Sequence, residues 1–211
     1  PDIRIPQIVY PQRIRMNSTG DLFVLDGKQH RILRLSPAGE YKGTVEAEGI
    51  PGKATSWVPK SFAIDAQDNL YILDVISSRV LILSPDGKFQ KQIGYPQSEG
   101  FFSDGAADAQ GTIFLLNSVT ATIYSAAQNN GAFSLFVKGL KEYVSFPTAL
   151  AVDRKHIYVL DQNGSGVVLL ARDGTFQGRK LKMGWKEGEL RYPSDICTND
   201  KGELFIADRG N

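Results

Sequence analysis

Five residues at one repeated position are the best placed for chemistry: Arg13, Ser61, Asp104, Ala149 and Asp195. Each lies two residues beyond a proline or, in the third case, beyond Phe102. Two carboxylates and a guanidinium projecting toward one space could compose a polar ligand site. They could equally pair with neighbouring loops, and the sequence favours the pairs, because buried charges are rarely left unpartnered. A hard cation wants more oxygen ligands than two carboxylates supply. The histidines, His30 and His156, are too few for a zinc cage, no Gly-x-Ser-x-Gly elbow is present, and Cys197 is the single cysteine, expected to be a small buried residue. The sequence therefore predicts no catalytic residues, no metal and no cofactor.

What must position these residues is a repeat. GDLFVLD, DNLYILD, GTIFLLN, KHIYVLD and GELFIAD end at Asp26, Asp74, Asn117, Asp161 and Asp208, spaced 48, 43, 44 and 47 residues apart. Periods of this length mark stacked or radial repeat folds. Their aromatic and β-branched runs predict strands covered on both faces. Before each lies a short strand closed by Asn17, Asp65, Asp108, Asp153 or Asn199, residues whose side chains can close a tight turn. After each come a third strand, except in the last copy, a Gly-containing hairpin turn, and a polar fourth strand suited to an outer edge. Four antiparallel strands per repeat predict an all-β fold, a β-propeller of which about five blades are visible.

Composition agrees with one globular domain over residues 1–211: 42% apolar, 22% charged, and a net charge of +1 from 24 basic and 23 acidic residues. That balance gives no general reason to expect nucleic acid, and no apolar run is long enough to insert into a membrane.

The order Pro-x-x-φ-x-φ-Asp, Gly-x-φ-aromatic-φ-φ-Asp, Arg-φ and Pro-x-Gly resembles the NHL-repeat propellers over residues 10–211. Asp26 with Arg31, and Asp74 with Arg79, match the Asp and Arg that in that family tie the loop between second and third strands. Asn117 is followed by Thr122 and Asp161 by Gly166, so this link is expected to be absent from copies three and four. The resemblance implies six blades in the complete protein, continuing past Asn211, with residues 1–9 as a ring-closing strand. It also implies a bacterial, extracytoplasmic setting: secreted, periplasmic or attached to the envelope.

On such a scaffold, the long connectors and the loops between second and third strands would form a binding face carrying Lys28, His30, Trp57, Tyr95, Tyr143 and Trp185. Tyr10, Phe101, Phe146 and Tyr192 are expected instead to wedge between blades. The reading is a non-catalytic docking module for a protein partner. Its alternative is a metal-dependent, lactonase-like hydrolase at the channel mouth, with Asp104 and Asp195 as its carboxylates. A weaker one is RNA binding through Arg179, Lys180, Lys182 and Lys186.

Overall fold

The computed structural model describes residues 8–51, 56–96, 99, 101–127, 129–199 and 201–210. Contacts divide the chain into two compact units, Pro1–Gly100 and Phe101–Asn211. Both are all-β. The first unit holds two four-stranded antiparallel blades of propeller type. Blade one is β1 (Pro11–Met16), β2 (Leu22–Asp26), β3 (Arg31–Leu35) and β4 (Tyr41–Thr44); blade two is β5 (Pro59–Ile64), β6 (Leu70–Asp74), β7 (Arg79–Leu83) and β8 (Phe89–Gly94). The second unit holds blade three, β9 (Asp104–Ala107), β10 (Ile113–Asn117), β11 (Thr122–Ala126) and β12 (Ser134–Val137), and blade four, β13 (Pro147–Val152), β14 (His156–Asp161), β15 (Gly166–Ala171) and β16 (Phe176–Lys180). A two-stranded sheet, β17 (Pro193–Thr198) with β18 (Leu204–Asp208), completes it. Among the described residues the only helical element is one 3₁₀ turn, Leu140–Glu142, and no helix is long and apolar enough to cross a membrane. The proposed closing strand over residues 1–9 lies almost wholly outside the described residues.

The sequence pattern explains each layer. Strands β6, β7 and β10 are buried at every residue, as continuous apolar runs require, whereas β8 and β16 alternate or face solvent. In the first unit the core lies between blades, where Phe23, Leu25 and Ile32 meet Phe62, Ile72 and Leu81. In the second unit Phe114, Leu116 and Ile123 meet Leu150, Val159 and Val168, and Tyr158 and Leu160 meet Ile196.

The tight turns are built as the Asx residues predict. Asp65 Oδ1 accepts the N–H groups of Gln67 and Asn69, both at 2.9 Å, and Asn17, Asp108, Asp153 and Asn199 repeat the arrangement. The third residue after the Asx is left-handed glycine in Gly20, Gly111 and Gly202 but Asp68 (φ 63°) in blade two. Asp tolerates that conformation better than most side chains. Here it also links blades, since its carboxylate accepts the Ser18 N–H (2.8 Å) and hydroxyl (2.6 Å).

Candidate active site

The end of each second strand carries the group that organises the loop face of its own blade. Asp26 accepts the N–H groups of Val9 (3.0 Å) and Tyr10 (3.1 Å), Asp74 that of Val58 (3.0 Å), Asp161 those of Ser145 (3.0 Å) and Phe146 (2.8 Å), and Asp208 that of Arg191 (2.6 Å). These donors are the last connector residues before each first strand. The same carboxylates reach forward into the loop between second and third strands, at Ile76 (3.2 Å), Gly164 (3.1 Å) and Gly210 (3.3 Å). One buried carboxylate thus fixes both loops of a blade. Four residues after it the chain turns left-handed at His30, Ser78, Ala121 and Ser165, so these loops share one shape.

In blade two Arg79 Nε donates to Asp74 at 2.9 Å with both side chains buried, the link the sequence predicts. Blade four corrects the expectation of a missing link. Gly166 stands where the arginine would be, yet Arg179 reaches across from β16 and donates to Asp161 Oδ2 at 2.8 Å. Its guanidinium also donates to the carbonyls of Gly164 (2.8 Å) and Tyr143 (3.0 Å). Glycine is required on that path: a Cβ at Gly166 would lie 2.9 Å from Arg179 Nε, and one at Gly164 would overlap Asp161 and Arg179. Arg179 is therefore withdrawn from the basic surface proposed for RNA, leaving Lys180, Lys182 and Lys186.

These carboxyls make stability pH-dependent. Burial pushes Asp161 up, but the Phe146 and Ser145 N–H groups and Arg179 outweigh it, and Asp26 is likewise held low by the Val9 and Tyr10 N–H groups. Groups lower in the folded state than at about 3.9 unfolded take up protons on unfolding, so their stabilisation is complete above about pH 5 and drains away below about pH 4. Urea unfolding at pH 7 and pH 3 should show the lower pH as the less stable; equal midpoints would contradict this.

Four of the five first strands begin with a bulge that the sequence left unread, β9 being the exception. Pro11, Pro59, Pro147 and Pro193 pair with Asp26, Asp74, Asp161 and Asp208, and the register then skips Gln12, Lys60, Thr148 and Ser194. A bulge re-aims a side chain. A polar residue follows the proline in every copy that has one, and that was the available signal. In the second unit the skipped positions carry hydroxyls: Ser194 Oγ donates to the Ala207 carbonyl (3.2 Å), and Thr148 Oγ1 is buried. Ser103 holds the equivalent place in blade three, where Ser118 donates to it at 2.5 Å.

The expected column separates by accessibility. Asp104 is fully buried and accepts the Leu150 N–H at 2.8 Å, capping an otherwise open edge donor of blade four's first strand. That bond ties the first strands of blades three and four together. Asp195 is 9% exposed, and its Oδ1 accepts the N–H of Ile196 (2.9 Å). Like Asp104 it is a buried carboxylate at the start of a first strand. Arg13 is half-buried in the first unit. No three His, Cys, Asp or Glu side chains gather to hold a metal among the described residues.

The aromatic candidates also separate. Trp57, partly buried, packs against the interblade core of the first unit, and Tyr95 is buried, its phenol pushed up by desolvation. Tyr143 is partly exposed and stacked on Phe176 with centroids 4.0 Å apart. Lys28 and His30 are exposed, and Trp185 stands out at 73%. Tyr10, Phe101, Phe146 and Tyr192 are all about half exposed rather than wedged, and Cys197 is half-buried rather than core.

No family model and no curated protein matches the chain. Solved propellers do. A gluconolactonase from Xanthomonas campestris is 15% identical with a TM-score of 0.71, over 96% of this chain and 71% of that one. Virginiamycin B lyase from Staphylococcus aureus is 14% identical with a TM-score of 0.64, over 94% and 62%. A streptogramin B lyase is 14% identical with a TM-score of 0.60, over 95% and 69%. The chain thus spans about two thirds of the length of these structures. Their likeness establishes the β-propeller fold, and because they are enzymes it overturns the expectation of a non-catalytic module.

Proposed function

We propose that this chain is part of a propeller enzyme of the lactonase-like kind, built on NHL-type repeats, that opens a cyclic ester. The supporting observation is the match to the gluconolactonase fold over 96% of the chain. Asp195, at the start of β17, is the residue proposed to act. Its carboxylate would take a proton from water as the water oxygen adds to the ester carbonyl. The ring C–O bond then breaks, the departing alkoxide receives that proton, and the product is a hydroxy acid. Positioned general bases of this kind typically contribute 10²- to 10⁴-fold.

The native protein mixed with δ-gluconolactone and followed by NMR should produce the open acid faster than buffer alone. A rate equal to buffer for this and for simple aliphatic lactones would exclude the proposal.

A further inference from the structure

The segment joining β16 to β17 is shaped to present one side chain. Trp185 sits on it at 73% exposure, in a chain that otherwise buries much of its apolar content. A loop that carried it passively would be loose, and this one is not. Leu190 N–H donates to the Lys182 carbonyl at 2.9 Å and Gly184 N–H to the Leu190 carbonyl at 3.1 Å, closing the segment on itself. Glu189 fills its centre, accepting the Lys186 N–H at 3.0 Å and pairing with Lys182 at 3.4 Å. The far end is fastened to the second unit's last sheet through Arg191 N–H and Asp208 at 2.6 Å. Leu181 and Tyr192, on either side, are both left-handed at φ 62°. Non-glycine residues are held there only when the surroundings over-determine them, and such positions gather at ligand clamps.

The indole is also oriented. The Arg191 guanidinium lies 3.2 Å from the centre of its ring and so covers one face, leaving the other to solvent. Around it Met183 and Tyr192 are about 60% exposed, and Lys180 and Lys186 are exposed too. Against Lys180, Lys182, Lys186 and Arg191 stand Glu189, engaged internally, and the exposed Glu187, so the segment keeps a net positive charge.

We infer that this loop is a docking surface for an acidic peptide segment of a partner protein, with an aromatic or aliphatic side chain of that segment seated on Trp185. The site is additional to the proposed chemistry and does not depend on it. Preorganised aromatic anchors ringed by charge are where binding energy concentrates, and methionine suits apolar side chains of varied shape. A nucleic acid strand is disfavoured by the same geometry. It needs successive stacking faces along a basic track, whereas one face of Trp185 is taken by Arg191, Arg179 is held by Asp161, and the chain's net charge is only +1.

The test uses the native protein and fluorescently labelled random copolymer of glutamate and tyrosine, with labelled polyglutamate and polyuridylate beside it, read by anisotropy. The copolymer should bind, polyglutamate should bind at least about tenfold more weakly, and Trp185→Ala should weaken copolymer binding about tenfold or more without moving the melting temperature. Lys186→Glu should also weaken it, more so at low salt. Equal binding by Trp185→Ala, no binding of the copolymer, or tighter binding of polyuridylate would each overturn the inference.

Discussion

Asp161→Ala is expected to be among the most destabilising single substitutions in the second unit. The side chain is fully buried, and removing it strands the Ser145, Phe146 and Gly164 N–H groups together with the Arg179 guanidinium. Each buried N–H left without its acceptor costs about 1–3 kcal/mol, and the partly exposed guanidinium adds less because water and two carbonyls still serve it. For a chain of this length each kcal/mol corresponds to about 2–4 °C, so the midpoint of thermal unfolding should fall by about 10 °C. Arg179→Ala should cost less, since its side chain is partly exposed and Asp161 retains its backbone donors. Combining the two substitutions should cost less than the sum of the separate effects, as members of one network do. Strict additivity in calorimetry would mean that the pair does not act as a unit.

This brace also marks where reading the sequence stops working. The five heptapeptides and their Asx turns were legible because both are local: a strand period and a side chain reaching two to four residues along the chain. The Asp161–Arg179 pair is not local. It depends on a register shift between β15 and β16 that sets Arg179 opposite Val168. Two glycines beside the vacant arginine position, Gly164 and Gly166, were the trace of it in the sequence, since they clear the volume that the displaced guanidinium occupies.

Connector aromatics failed for a related reason. Residue type does not say whether a ring on an irregular segment turns inward, and Trp57 and Tyr95 do while Trp185 does not. The members of the repeated position that opened the sequence reading differ in their surroundings. Asp104 is consumed by a neighbouring strand's edge donor, which only the packing of blade three against blade four reveals. Asp195 occupies the same place in its repeat and is buried as well, at 9% exposure.

This position carries the second large effect. Asp195→Asn keeps the shape and the ability to accept the Ile196 N–H but cannot take up a proton, so lactone hydrolysis should fall by about 10²- to 10⁴-fold while folding is preserved. Asp104→Asn should act in the other direction, lowering stability more than turnover, because its oxygen serves a backbone bond rather than a reacting atom. The decisive measurement is the rate of acid release from δ-gluconolactone by native protein and by Asp195→Asn at equal folded fraction. Native protein should exceed the spontaneous rate and the variant should fall back to within a few per cent of it. Full activity in the variant, or none in the native protein, would contradict the assignment.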